Sequence, residues 1–164
     1  RAGDEAAAVL AYADWIKPSV YPGCSGQRYR HLLDHYRRTW LRDCSLEDAH
    51  RMLSAWFGRN SAEGSPVLAD DAGQCAFGPD WVHSEVARMV AAADPKPIYA
   101  GLGIGVPGGE EVDDRALITA CTEACFEAGA AGILFSRHYS EMPPELLAAA
   151  GDVVRAHAAA TAAG

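Results

Sequence analysis

The hydrophobic pattern changes character most sharply after Gly129, where the chain reads Ala-Ala-Gly-Ile-Leu-Phe-Ser-Arg-His-Tyr-Ser-Glu141. Ile133, Leu134 and Phe135 form a continuous apolar run, the pattern of a parallel strand buried on both faces, with no alternation that would turn one side to water. The run stops abruptly in a cluster of chemically capable side chains, as strands of (β/α)8 barrels do at their C-terminal ends.

The rest of the chain alternates between helical and strand periods. Tyr12 to Tyr21 has the aromatic and β-branched content of a strand. Pro18, which lacks a ladder donor, is expected to mark a bulge or the strand's exit. Tyr29, Leu32, Leu33, Tyr36 and Trp40 recur at helical spacing. Ser45 with Asp48 makes a capping-box-like start for a second helix, whose apolar face is Leu46, Ala49, Leu53, Trp56 and Phe57. Arg59 to Asp80 is a long irregular stretch, expected to act as a lid or wall of a site. Val82, Val86, Met89 and Val90 predict a further helix, and Pro97 to Ile104 a strand. Asp113 or Asp114 is placed to cap the next helix and Gly129 to end it. Pro143-Pro144 opens the last helix, with Leu146, Leu147, Ala150, Val153 and Val154 turned inward.

Strands alternating with helices call for parallel pairing and right-handed crossovers. The expected class is therefore α/β, the C-terminal part of a TIM (β/α)8 barrel with about three β/α units, residues 1–164 forming a single incomplete domain. At 164 residues and 49% hydrophobic the chain supports one sizeable core. A complete barrel typically takes roughly 250 residues. The missing N-terminal part of the same barrel is thus an expected partner.

Composition narrows the function classes. A net charge of -8 argues against wholesale binding of a phosphate backbone, so no nucleic acid is expected, and a small polar substrate is easier to accommodate. No apolar run is long enough to span a bilayer, so no membrane partner is expected. The five cysteines show no zinc-type spacing and no metal is expected; Cys121 and Cys125, four apart on an apolar helical stripe, read as small core residues. Arg28, Arg30, His31, His35, Arg37, Arg38 and Arg42 make a charged face on the first long helix, read as solvated, with a local anion or subunit contact as the alternative.

Several constellations carry candidate chemistry. Gly103-Ile-Gly-Val-Pro-Gly108 matches G-x-G-x-x-G, but Gly109, Glu110 and Glu111 intervene before the helix and bring like charge to any phosphate. It reads as a strand-end turn, with a phosphate site shared with the final strand as the rival, and no cofactor is expected. Lys17 and Tyr21 sit at the exit of the first strand, and a lysine in an apolar strand needs a carboxylate or substrate hydroxyls as partner; the alternative is escape of Lys17 to solvent along the strand edge. Arg137 and Tyr139 leave the last strand as candidate substrate contacts, and Glu141 is the candidate acid, base or electrostatic stabiliser. The competing reading of Glu141 is an acidic residue favoured by the dipole of the last helix. Asp70 and Asp71 form an adjacent acidic pair, although neighbours in sequence usually point apart.

Two stretches resemble a known family. Asp14-Trp-Ile-Lys-Pro-Ser-Val-Tyr-Pro22 resembles a late-strand motif of glycoside-hydrolase-like barrels distantly related to chitinase and amylase-type glycosidases, and Ala130 to Met142 looks like their closing strand. The resemblance implies a carbohydrate-active protein that cleaves or binds a glycan, with Tyr21 at the position that helps to place the sugar. A non-catalytic sugar-binding barrel and a barrel enzyme acting on a phosphorylated small molecule are the alternatives. The family's principal acid lies on a strand that this chain does not contain. Ser19 stands where the family more often has Met, and no carboxylate ends the stretch Gly105 to Pro107. On this reading Trp81 or Tyr139 stacks on a sugar ring.

Overall fold

The computed structural model describes residues 10–21, 26–56, 78–104, 115–136 and 142–163. Seven elements follow in chain order: α1 (Gly26–Arg38), α2 (Leu46–Trp56), α3 (Pro79–Ala93), β1 (Tyr99–Leu102), α4 (Arg115–Glu127), β2 (Gly132–Phe135) and α5 (Pro144–Ala163). Their boundaries have local causes. Ser45 caps α2, its Oγ accepting from the Asp48 amide at 3.0 Å and donating to Asp48 Oδ2 at 2.7 Å. Pro79 opens α3, where a missing amide hydrogen costs nothing. Gly129, at φ +90°, ends α4, with its amide on the Phe126 carbonyl and the Ala130 amide on the Cys125 carbonyl. That pair of bonds is a Schellman closure, and it needs the left-handed backbone that glycine adopts without penalty.

β1 and β2 run parallel in the register Tyr99 to Gly132 through Leu102 to Phe135. The segment around Ile16 lies along the other edge of β1, bridging Ile16 to Ile98 and Ser19 to Gly101, both parallel. The amides of Tyr99 and Gly101 donate to the Ile16 and Pro18 carbonyls on that edge and the Gly101 carbonyl accepts from Val20, whereas the carbonyls of Ile98 and Leu102 accept from Ala131 and Ser136 on the β2 side. The expected strand over Tyr12 to Tyr21 thus shrinks to two bridges flanking Pro18, with Tyr12 fully exposed.

Helices cover one face of this sheet. Val20, Ala100 and Leu102 join Leu33, Ala49, Leu53, Val82, Val86, Cys121 and Cys125 in the main core, with Ile133 and Phe135 packed against it. Ile104, Ile118, Leu146, Ala149 and Ala150 form a smaller core beneath α5. Because side chains alternate along a strand, the residues between these point the other way: Lys17, Ser19 and Tyr21, then Tyr99, Gly101 and Gly103, then Gly132, Leu134 and Ser136. None of those nine belongs to either core cluster.

The barrel reading is corrected here. Among the described residues there are five helices and only two short parallel strands in one sheet, a mostly helical arrangement that does not look like part of a TIM barrel. The cause lies in β2. Its apolar run is not buried on both faces: Leu134 is 37% exposed, and no residue of the strand is fully buried. Ile133 and Phe135 supply the helix-facing side, and Leu134 is an apolar residue on the open one.

Other expectations fall unevenly. Cys121 and Cys125 are fully buried, and burial, followed by the neighbouring Cys121, pushes the Cys125 thiol up to about 12, so it is an inert core group. Trp40 and Trp56, expected on apolar stripes, are instead 76% and 65% exposed and stack on each other beside Tyr36. His31, His35, Arg37, Arg38 and Arg42 are exposed, as a solvated face requires. The stretch Arg59 to Phe77 lies outside the described residues. No described helix is long and apolar enough to cross a membrane.

His50 is buried on α2, and desolvation lowers its pKa from the usual value of 6.5. In the unfolded chain the imidazole takes up a proton more readily than in the fold, so stability is lost as pH falls below about 6.5. Chemical denaturation at pH 7.5 and pH 5.5 should show a larger loss for the parent protein than for His50→Gln; equal losses would contradict this account.

Candidate functional site

On the sheet face that no described helix covers, called the open face below, Lys17 crosses β1 toward β2. The crossing is possible because Gly101, bridged to Ser19, has no side chain: a Cβ there would lie 2.5 Å from Lys17 Cε and 2.9 Å from the Pro18 carbonyl oxygen. Lys17 Nζ then donates to Tyr21 Oη at 2.5 Å and to Ser136 Oγ at 2.7 Å, and it sits 5.0 Å from the centroid of the Tyr21 ring. One ammonium group thus ties the bridge segment to the end of β2, with β1 beneath the lysine stem.

The electrostatics follow from this contact. Burial pushes the Tyr21 phenol up, but hydrogen bonds with Lys17, Ser136 and Ser19, and the charge of Lys17, outweigh it and hold the phenol below the ordinary tyrosine value of 10.0. Among the described residues no carboxylate lies within ion-pair distance of Lys17; Asp14, at the entry of its segment, instead sits 4.0 Å from Lys96. The lysine's described partners are hydroxyls.

Farther along the same face Trp15 meets Tyr99 edge to face, with centroids 5.5 Å apart. The Tyr99 ring lies over Gly132, where a Cβ would approach its Cδ1 and Cε1 to 2.9 Å. The face is therefore floored by Gly101 and Gly132, bounded on one side by exposed aromatic surface and on the other by Lys17, Tyr21 and Ser136.

Of the residues expected to form a site, Lys17 and Tyr21 are brought into direct contact. Arg137, Tyr139 and Glu141 lie outside the described residues, as do Asp70, Asp71 and the glycines from Gly105 to Gly109. Trp81 is not available to stack on a ligand, being buried in the main core. Ser136 was not singled out in the sequence. Its signal is the period of two from Gly132 through Leu134, which puts it on the same face as Gly101. Two surface clefts lined by described residues, of about 420 and 510 Å³, lie elsewhere, the first beside Asp80, His83 and Glu123, the second beside Phe126, Val154 and His157. Among the described residues no group of His, Cys, Asp and Glu is arranged to hold a metal ion.

Compared with protein-family models, with curated proteins and with solved structures, the chain matches none.

Proposed function

We propose that the open sheet face binds a carbohydrate or a similar small hydroxyl-rich molecule. The observation that carries this reading is the part-buried Lys17 ammonium held between two hydroxyl oxygens at 2.5 and 2.7 Å on the face that no described helix covers. Hydroxyl groups of a sugar offer the same acceptors in the same geometry, and the acceptor and donor capacity of Tyr21 and Ser136 extends the network. Trp15 and Tyr99 supply an apolar ring surface for the C–H face of a sugar, on the side of the sheet where Lys17 also lies. The resemblance of Asp14 to Pro22 to glycoside-hydrolase-like sequences points to the same ligand class.

Titration of the protein with a panel of monosaccharides and short oligosaccharides, followed by amide chemical shifts, tests this. The expected result is saturable shifts centred on Lys17, Gly101 and Ser136. Ser136→Ala should weaken binding roughly tenfold, the consequence of losing one hydrogen bond in a network with a charged group. Shifts confined to the clefts beside α4 and α5, or affinity unchanged in Ser136→Ala, would remove the reading.

A further inference from the structure

We infer that Lys17 is an imine-forming lysine, whose amine condenses with the aldehyde or ketone group of a small hydroxylated carbonyl compound while Tyr21 carries the proton. The inference rests on the proposed site and deepens it, naming the open-chain form of a sugar as the reactive ligand.

Three features of the site are those imine formation needs. First, Nζ is delivered by a stem threaded over Gly101 onto the sheet face that no described helix covers, and Lys17 is only partly buried there, which leaves a carbonyl carbon a way to it. Second, its described partners are hydroxyls, so among the described residues loss of its proton breaks no ion pair. An amine held by a carboxylate would have to give up that pair before it could attack; Lys96, 4.0 Å from Asp14, is the contrasting case in this chain. Third, the phenol oxygen of Tyr21 lies 2.5 Å from Nζ, within reach of the proton that must leave the nitrogen and later reach the departing oxygen. The lowered pKa of Tyr21 fits that carrier role.

The step balances without a redox partner. In the ionised form of Tyr21, which its lowered pKa brings closer, a proton passes from Nζ to the phenolate, and the free amine adds to the carbonyl carbon. The nitrogen's proton moves to the former carbonyl oxygen, giving a carbinolamine. Tyr21 then protonates the carbinolamine hydroxyl, the C–O bond breaks, and water leaves. The products are the protonated imine on Lys17, the Tyr21 phenolate and one water.

The sequence makes the test clean, because Lys17 and Lys96 are the only lysines. The folded protein is incubated with glyceraldehyde and sodium cyanoborohydride, and the reduced adduct is located by peptide mass mapping. Lys17 should be labelled roughly 100-fold faster than Lys96, the scale of positioned acid–base catalysis. In urea the two should react alike. Tyr21→Phe should lower labelling of Lys17 by at least about tenfold with the thermal transition retained; an unchanged rate would overturn the role of Tyr21. Equal labelling of the two lysines in the folded state would overturn the inference as a whole. Glycerol and sorbitol, which lack the carbonyl, separate it from the binding reading. If they compete at the site while glyceraldehyde leaves Lys17 unmodified, binding stands and imine formation fails. If neither polyols nor glyceraldehyde engage the site, both fail.

Discussion

Gly101→Val should unfold or severely weaken the protein and, in whatever fraction folds, dismantle the site. A Cβ at this position falls 2.5 Å from Lys17 Cε and 2.9 Å from the Pro18 carbonyl oxygen. The lysine stem can swing away, but Pro18 O is backbone and accepts from the Gly101 amide at 2.8 Å, so it cannot retreat without breaking the bridge. Overpacking of this kind costs about 1–3 kcal/mol, and loss of the strand hydrogen bond adds about 1 kcal/mol. Urea denaturation measures the sum. Gly78→Val is the control, since a Cβ there meets nothing within 4 Å. Equal stability of the two variants would show that the bridge segment does not lie against β1.

The second large effect is expected from Lys17→Met, which keeps an apolar stem over Gly101 and removes the ammonium. Two hydrogen bonds to a charged donor vanish. A hydrogen bond from the ammonium to a ligand hydroxyl is worth about 1.5–3 kcal/mol, so without it affinity for a hydroxylated ligand should fall at least about tenfold. The two hydroxyls left behind are only partly buried and can turn to water, so folding stability should change by less than about 1 kcal/mol. Calorimetric titration and a thermal melt separate the two quantities. A large stability loss with unchanged affinity would make Lys17 a structural tie between strands and no more.

Local features of the sequence were legible where a short-range cause decides them. The helical spacing of Leu33 and Tyr36, of Ala49 and Leu53, and of Val82 and Val86 produced the helices it predicts, and Ser45, Gly129 and Pro144 bound them by chain-local chemistry. Lys17 stood out because a charge in an apolar strand must find a partner, and the partner it finds is Tyr21. What could not be read is which face of a strand stays uncovered. Ile133, Leu134 and Phe135 look alike in sequence, yet only Ile133 and Phe135 meet the core, because coverage depends on helices far along the chain. That ambiguity produced the barrel expectation. Trp40 and Trp56 fail for a related reason: Trp40 falls beyond the end of α1, where the helical period no longer sets its direction, and finds Trp56 in place of the core.

The account depends on the Lys17 ammonium reaching the Tyr21 phenol across Gly101. With tyrosine labelled at Cζ with carbon-13, nuclear magnetic resonance reads the titration of Tyr21 directly. Tyr21 should ionise at lower pH in the folded protein than in the chain unfolded in urea, and Lys17→Met should move its titration back upward. A Tyr21 that titrates alike in the folded parent, the Lys17→Met variant and the unfolded chain would mean that the two groups do not meet, and the site would not exist as described.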